Sequence, residues 1–238
     1  MHQPRFVKFK EVIMSRIKLD DRLLSVASLV RKGSVVADVG TDHAYVVAYL
    51  IQNGIIEKAI ASDINKGPLE NARQTLIDCD ISENVTLILS DGLKNVPENS
   101  ADDIVIAGMG GILISEILEN APWIKNENVH IIAQPMTHGE TLRKWLCENG
   151  YIINKEVAST DGKRLYVAIS ASYTGEKANR NEAYYYVGEL SKNSDELSER
   201  YIEKTLLSLE KKYNAQKSAG LEDKEGLGEL ISEIKTLI

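Results

Sequence analysis

Aspartates and glycines recur at regular stations along the first half of the chain. Asp38 and Gly40 open the run Asp38-Val39-Gly40-Thr41-Asp42-His43-Ala44-Tyr45. Asp63 follows 25 residues after Asp38, Asp91-Gly92 comes next, and Ala107-Gly108-Met109-Gly110-Gly111 closes the series. Glycine lets a backbone approach a ligand closely, and a helix that follows it offers free N–H groups. The first run lacks the Gly-x-Gly-x-x-Gly spacing of dinucleotide binders, and its two aspartates would repel a pyrophosphate. Carboxylates here suit a ligand with positive charge. An acid at the end of a second strand is placed to accept from ribose hydroxyls, and Asp91 beside Gly92 suits an adenine amino group. The residues by themselves reach as far as a nucleoside-containing cation. Any one of these aspartates could instead be a helix cap or turn residue; all of them at consecutive strand ends favour a ligand. His43 is expected to touch it because of its neighbours, whereas His2, His130 and His138 read as structural or surface residues. No His/Cys/Asp group has metal-ligand spacing, and no nucleophile–base pair is evident.

Such residues need a scaffold that brings distant loops to one edge. Short β-branched runs at 35–39, 58–63, 85–90, 103–107 and 129–134 alternate with amphipathic segments at 43–53, 67–79, 111–120 and 138–149. That alternation predicts a parallel sheet wound with helices. Pro68 suits a first helical turn, and Thr137 with Glu140 has capping-box spacing. Residues 19–30 predict a further helix before the first strand. Runs at 151–158 and 164–172, joined through Asp161-Gly162, predict an antiparallel hairpin. Beyond Gly175 two apolar stripes appear at helical spacing, one through Leu197, Tyr201, Leu209 and Tyr213, the other through Leu227, Leu230, Ile231, Ile234 and Ile238. With Gly220 between them they read as a helical hairpin.

Composition bounds the rest. The chain has 238 residues, 43% apolar and 26% charged, which fits a globular protein with a full core and excludes disordered and disulfide-scaffold classes. Its longest uncharged apolar stretch, 104–115, is too short to span a membrane, and the first ten residues lack a signal-peptide core, so a cytoplasmic protein is expected. Cys79 and Cys147 are expected to be free, reduced thiols. The net charge of −7 is unevenly spread: residues 1–32 carry +5, 33–170 carry −9 and 171–238 carry −3. Taken whole this balance points away from nucleic acid; the basic residues gather at Arg5, Lys8, Lys10, Arg16, Lys18 and Arg22, with Lys204, Lys211, Lys212 and Lys217 in the tail.

Acid and glycine after strand one, acid after strands two and three, and a terminal hairpin together resemble a class I S-adenosylmethionine-dependent methyltransferase. More narrowly, Leu19-Asp20-Asp21-Arg22, the VADVGTDHAY and AGMGG segments, Gln134-Pro135-Met136 and the tyrosine-rich run at 184–186 resemble the bacterial tRNA (adenine-22-N1)-methyltransferase family, TrmK. The likeness covers about residues 14–238. It implies an α/β, Rossmann-like, mostly parallel sheet with a terminal antiparallel hairpin and a coiled-coil-like C-terminal helical hairpin. It also implies S-adenosyl-L-methionine as methyl donor, tRNA as partner and no metal. On that reading Asp38 and Gly40 meet the methionine end of the donor and Arg22 its carboxylate. Asp63 meets the ribose and Asp91 with Gly92 the adenine, while Ala107, Gly108 and Met109 wall the transfer channel. Asp42, His43 and Gln134 are the catalytic candidates. The expected division is a basic extension at 1–18, of which 1–13 precede a natural start at Met14, a donor-binding domain at 19–173 and a helical hairpin at 174–238. A methyltransferase for a small molecule or protein, its tail serving dimerisation, is the alternative; a nicotinamide enzyme or nucleotide sensor is disfavoured by the acidic first loop.

Overall fold

The computed structural model describes residues 16–223 and 226–237. Seven strands form one sheet in the order β3-β2-β1-β4-β5-β7-β6. The first five, β1 (Val36–Val39), β2 (Ala59–Asp63), β3 (Val85–Leu89), β4 (Asp103–Met109) and β5 (His130–Pro135), run parallel. The pair β6 (Tyr151–Asp161) and β7 (Arg164–Tyr173) closes the sheet antiparallel, with β7 between β5 and β6. Every residue of β1 and β5 is buried, as central parallel strands covered on both faces require.

Alternate residues of each strand serve two cores. Ala37, Val39, Ile104, Ile106, Ile131 and Ala133 point to one; Val36, Val105 and Ile132 point to the other. The helices α1 (Asp21–Ala27), α2 (Tyr45–Gln52) and α3 (Lys66–Asp78) lie on the second face, and α4 (Gly111–Glu119) and α5 (Gly139–Glu148) on the first. Pro68 falls in the first turn of α3 as expected.

The capping box at α5 does not form. The Thr137 carbonyl accepts from the Gly111 N–H at 2.7 Å, so the chain turns once more through His138 at φ +55° before the helix begins, without a side-chain cap. The tail contains more than two helices. A short α6 (Glu182–Val187) and a 3-10 turn at Gly188–Lys192 precede the long α7 (Glu196–Ser218) and α8 (Leu227–Lys235). Apolar residues of α6, α7 and α8, among them Val187, Ile202, Leu209, Leu230 and Ile234, join the same core cluster as Ile131 and Ile169 of the sheet.

A buried ion pair stitches that junction. Arg143 of α5 donates from Nε to Glu156 of β6 at 2.6 Å, and from Nη1 to the carbonyls of Tyr185 and Tyr186. Glu156 in turn accepts the Glu189 N–H at 2.9 Å. Gly188, at φ +59°, sits so close that a Cβ would lie 2.0 Å from the Glu156 carboxylate.

Candidate active site

The C-terminal ends of β2, β1, β4 and β5 lie side by side, which is where ligands bind in an open α/β sheet. After β1 the chain folds back on β2: the N–H groups of Gly40 and Thr41 both donate to the Ser62 carbonyl. Gly40 (φ +77°), Asp42 (φ +49°) and Ala44 (φ +56°) then alternate through the left-handed region. Two non-glycine residues held there mark a strained loop of the kind found at ligand sites. The turn presents Thr41, Asp42, His43 and Tyr45 to a cavity of about 410 Å³ also lined by Asp20, Arg22 and Gly108.

Asp38 is buried at the floor of this cavity and its Oδ2 accepts the Thr41 hydroxyl at 2.6 Å. Burial pushes its carboxyl from an ordinary 3.8 up to about 6; the Thr41 hydrogen bond counters this, and the charge of Asp63 adds to the rise. A buried anion whose nearest partner is a hydroxyl is suited to a cationic ligand. His43 stacks on Tyr45, with ring centroids 5.0 Å apart and planes 10° from parallel, and its Nε2 lies 3.7 Å from Asp42.

Arg22 is held by a residue 112 positions away. Its Nη1 donates to Gln134 Oε1 at 2.8 Å, and the same oxygen accepts the Gly108 N–H at 3.2 Å. The second bond has a structural cause: the β4–β5 register slips between Ala107 and Met109, leaving Gly108 (φ +81°) as a bulge outside the ladder. A bulge frees a backbone donor and re-aims its strand, and the Gln134 amide takes that donor up. Its Nε2 donates to the Pro135 carbonyl. The side chain is fully buried, so Gln134 touches the cavity only through Arg22 and Gly108.

Of the residues singled out from sequence, Arg22, Asp38, Gly40, Asp42, His43, Ala107 and Gly108 line this cavity. Asp91 lines a second, of about 160 Å³, with Leu93, Leu113 and Ile117, and pairs with Lys94. Asp63, Gly92, Met109 and Gln134 line neither. Asp63 ends β2 between the two stations, where its Oδ1 accepts the Asn65 N–H and its carbonyl the Ser90 N–H. Met109 packs over Gly40, whose Cβ would fall 2.1 Å from the thioether methyl, and Gly92 backs onto Ile117. Sequence reasoning missed Asp20, Thr41 and Tyr45 as wall residues; their adjacency to Arg22, Asp42 and His43 was the available signal. Arg5, Lys8 and Lys10 lie outside the described residues, while Arg16, Lys18, Lys204, Lys211, Lys212 and Lys217 are exposed. No group of three or more His, Cys, Asp or Glu among the described residues could hold a metal ion.

The residues at this edge fit S-adenosylmethionine: a buried carboxylate suits an ammonium, an arginine a carboxylate, and the acid that ends β2 a diol, while Gly40 leaves room for Met109 to pack over it. The sheet order and this chemistry define the class I methyltransferase domain, and residues 19–169 match the family described as "Methyltransferase domain". Over 172 residues the chain is 34% identical to the tRNA (adenine(22)-N(1))-methyltransferase of Bacillus subtilis (strain 168), covering 72% of this chain and 70% of that one. It belongs to that family. The crystal structure of B. subtilis TrmK superposes with a TM-score of 0.78 at 29% identity, over 93% of this chain and 96% of that one. Streptococcus pneumoniae Sp1610 in complex with S-adenosyl-L-methionine gives 0.78 at 30%, over 91% and 97%.

Proposed function

We propose that this protein transfers the methyl group of S-adenosylmethionine to N1 of adenine-22 in tRNA. The observation that carries this reading is the buried Asp38 carboxylate and Arg22 lining one cavity at the sheet's C-terminal edge, in a chain of this family. When bound, the donor supplies an electrophilic methyl group on a sulfonium. Asp38 holds its ammonium, Arg22 its carboxylate, Asp63 its ribose, and Asp91 with Gly92 its adenine. Gly40 and Met109 fix the depth of the cradle. Gln134 is a positioning residue: it aims the Arg22 guanidinium and fixes the bulged Gly108 loop.

Adenine N1 attacks with a lone pair and needs no deprotonation, so positioning dominates. The ring gains positive charge in the transition state, which the carboxylates of this edge stabilise. Asp42 or His43 accepts from the exocyclic amino group as it becomes more acidic. In this scheme residues 19–173 carry the donor chemistry, and the exposed lysines of 174–238, with Arg16 and Lys18 of the 1–18 segment, hold the RNA. On this reading the protein works in the cytoplasm because that is where its tRNA substrate is. Among the described residues no helix is long and apolar enough to cross a membrane.

The test is to incubate the protein with S-adenosylmethionine and unmodified bacterial tRNA and identify methylated nucleosides by mass spectrometry. We expect 1-methyladenosine that disappears when adenine-22 is replaced by guanine. Donor binding without any methylated nucleoside would refute the tRNA assignment and turn the search to small-molecule or protein acceptors.

A further inference from the structure

The reactive edge of the sheet is electrically lopsided. Asp38, Asp42, Asp63 and Asp91 crowd the ends of β1, β2 and β3. Between Asp103 and Glu116, and between Glu127 and Glu140, the chain holds no Asp, Glu, Lys or Arg, so the ends of β4 and β5 bring no charged side chain of their own, and Arg22 of α1 reaches them through Gln134. A phosphate-bearing polymer is repelled from the first half of this edge and not from the second.

Two large apolar side chains stand exposed on the rim that these two strand ends form. Ile112, in the first turn of α4, is 47% exposed, and Met136, just after β5, is 37% exposed. Their segments are clasped by backbone bonds, Met136 N–H to Met109 carbonyl at 2.8 Å and Gly111 N–H to Thr137 carbonyl at 2.7 Å. The clasp is tight enough that a Cβ on Gly111 would lie 2.1 Å from the His138 carbonyl oxygen. Gln134 Nε2 lies 3.7 Å from the Met136 sulfur, so the amide that anchors the cavity loop also anchors this side chain. Leu113 is equally exposed but lines the Asp91 cavity and belongs to the donor side. The rim is thus a rigid apolar lip beside Gly108 and Met109.

We propose that Ile112 and Met136 form an apolar wedge that enters the tRNA stack where the target adenine has left it. The inference rests on the tRNA-methylating reading above. N1 lies on the Watson–Crick edge, hidden while the base is paired, so the adenine must be extruded before reaction. Proteins that open a stack commonly insert Ile, Leu or Met between base steps. A wedge fixed to the loops that wall the donor cavity keeps the extruded base at the methyl group instead of letting the stack reclose.

The experiment uses tRNA carrying 2-aminopurine at position 22, whose fluorescence rises on unstacking, with the Ile112→Ser/Met136→Ser double variant. Wild-type protein should raise the signal. The variant should bind donor and tRNA normally, give a much smaller rise, and lose roughly tenfold or more in kcat/KM on normal tRNA, consistent with a lost unstacking device. On tRNA whose nucleotide facing adenine-22 is abasic, the variant should recover to near wild-type rates, and Ile112→Leu/Met136→Leu should retain extrusion. Wild-type rates for the serine variant on normal tRNA, or equal loss on both tRNAs, would overturn the wedge. Methylation by wild type without a fluorescence rise would sink the wedge alone; no binding or methylation of any tRNA would sink the functional reading with it.

Discussion

Asp38 sets the balance between stability and binding. Its folded-state carboxyl titrates near 6, above its ordinary 3.8, so between those values the native state holds more protons than the unfolded state. Stability contributed at this site therefore falls as pH rises through that window, and the full penalty of a buried anion is present above it. Asp38→Asn should stabilise the ligand-free protein by about 2–3 kcal/mol at pH 8, the worth of a two-unit shift, read as a higher Tm. The same variant should lose most donor affinity, and wild-type affinity should weaken as pH drops below 6, because the carboxylate that meets the donor cation is being protonated. A variant with unchanged calorimetric affinity would remove Asp38 from the donor site. Asp63→Ala should cost at least about tenfold in donor affinity, the loss of a ribose-holding carboxylate; unchanged binding would break that assignment.

At the scale of elements, two loops act as one. The β4–α4 and β5–α5 connections share backbone bonds through Met109, Gly111, Met136 and Thr137, and Gln134 ties both to Arg22 of α1. Gly111→Ala must push the His138 carbonyl away, and neither side of that contact is a flexible side chain. We expect a destabilisation of about 1–3 kcal/mol from overpacking and a larger proportional loss of turnover, measured by thermal denaturation beside a methylation assay. An alanine variant with normal Tm and turnover would show that the clasp does not position the loops. The absence of the Thr137–Glu140 box has the same origin: a carbonyl committed across the clasp draws the chain past its local capping choice.

On the scale of the molecule, the tail is fastened to the sheet by a pair of charges with no access to water. Side chains of Arg143 and Glu156 are 1% and 0% exposed, and their remaining hydrogen-bonding groups reach α6 and the 3-10 turn. Removing one partner leaves the other charge buried, so Arg143→Met should cost about 3–5 kcal/mol. Replacing Glu156 by Met as well should recover part of it; no recovery in denaturant titrations would mean that shape rather than charge fastens the junction. Lys204 and Lys211 lie about two turns apart on one exposed face of α7. Reversing both to Glu should weaken tRNA binding and flatten its dependence on salt by about two counterions, with donor affinity unchanged. An unaltered salt slope would remove α7 from the RNA surface.

The sequence by itself determined what neighbours can dictate. Five β-branched runs, the Asp-Gly hairpin and the two tail stripes are periodicities written within a few residues, and each became an element close to its expected bounds. The aspartates and glycines at strand ends were legible because turns draw on local chemistry. Tertiary structure decided the rest. It placed β7 between β5 and β6, bulged β4 at Gly108, joined Gln134 to Arg22 across 112 residues, and set Asp38 and Asp42 on one cavity, Asp91 on another and Asp63 on neither. It also buried Gln134, one of the catalytic candidates, beneath Arg22 and Gly108. Such contacts join residues far apart in the chain, and their partners exist only once both cores have packed and fixed the strands in register.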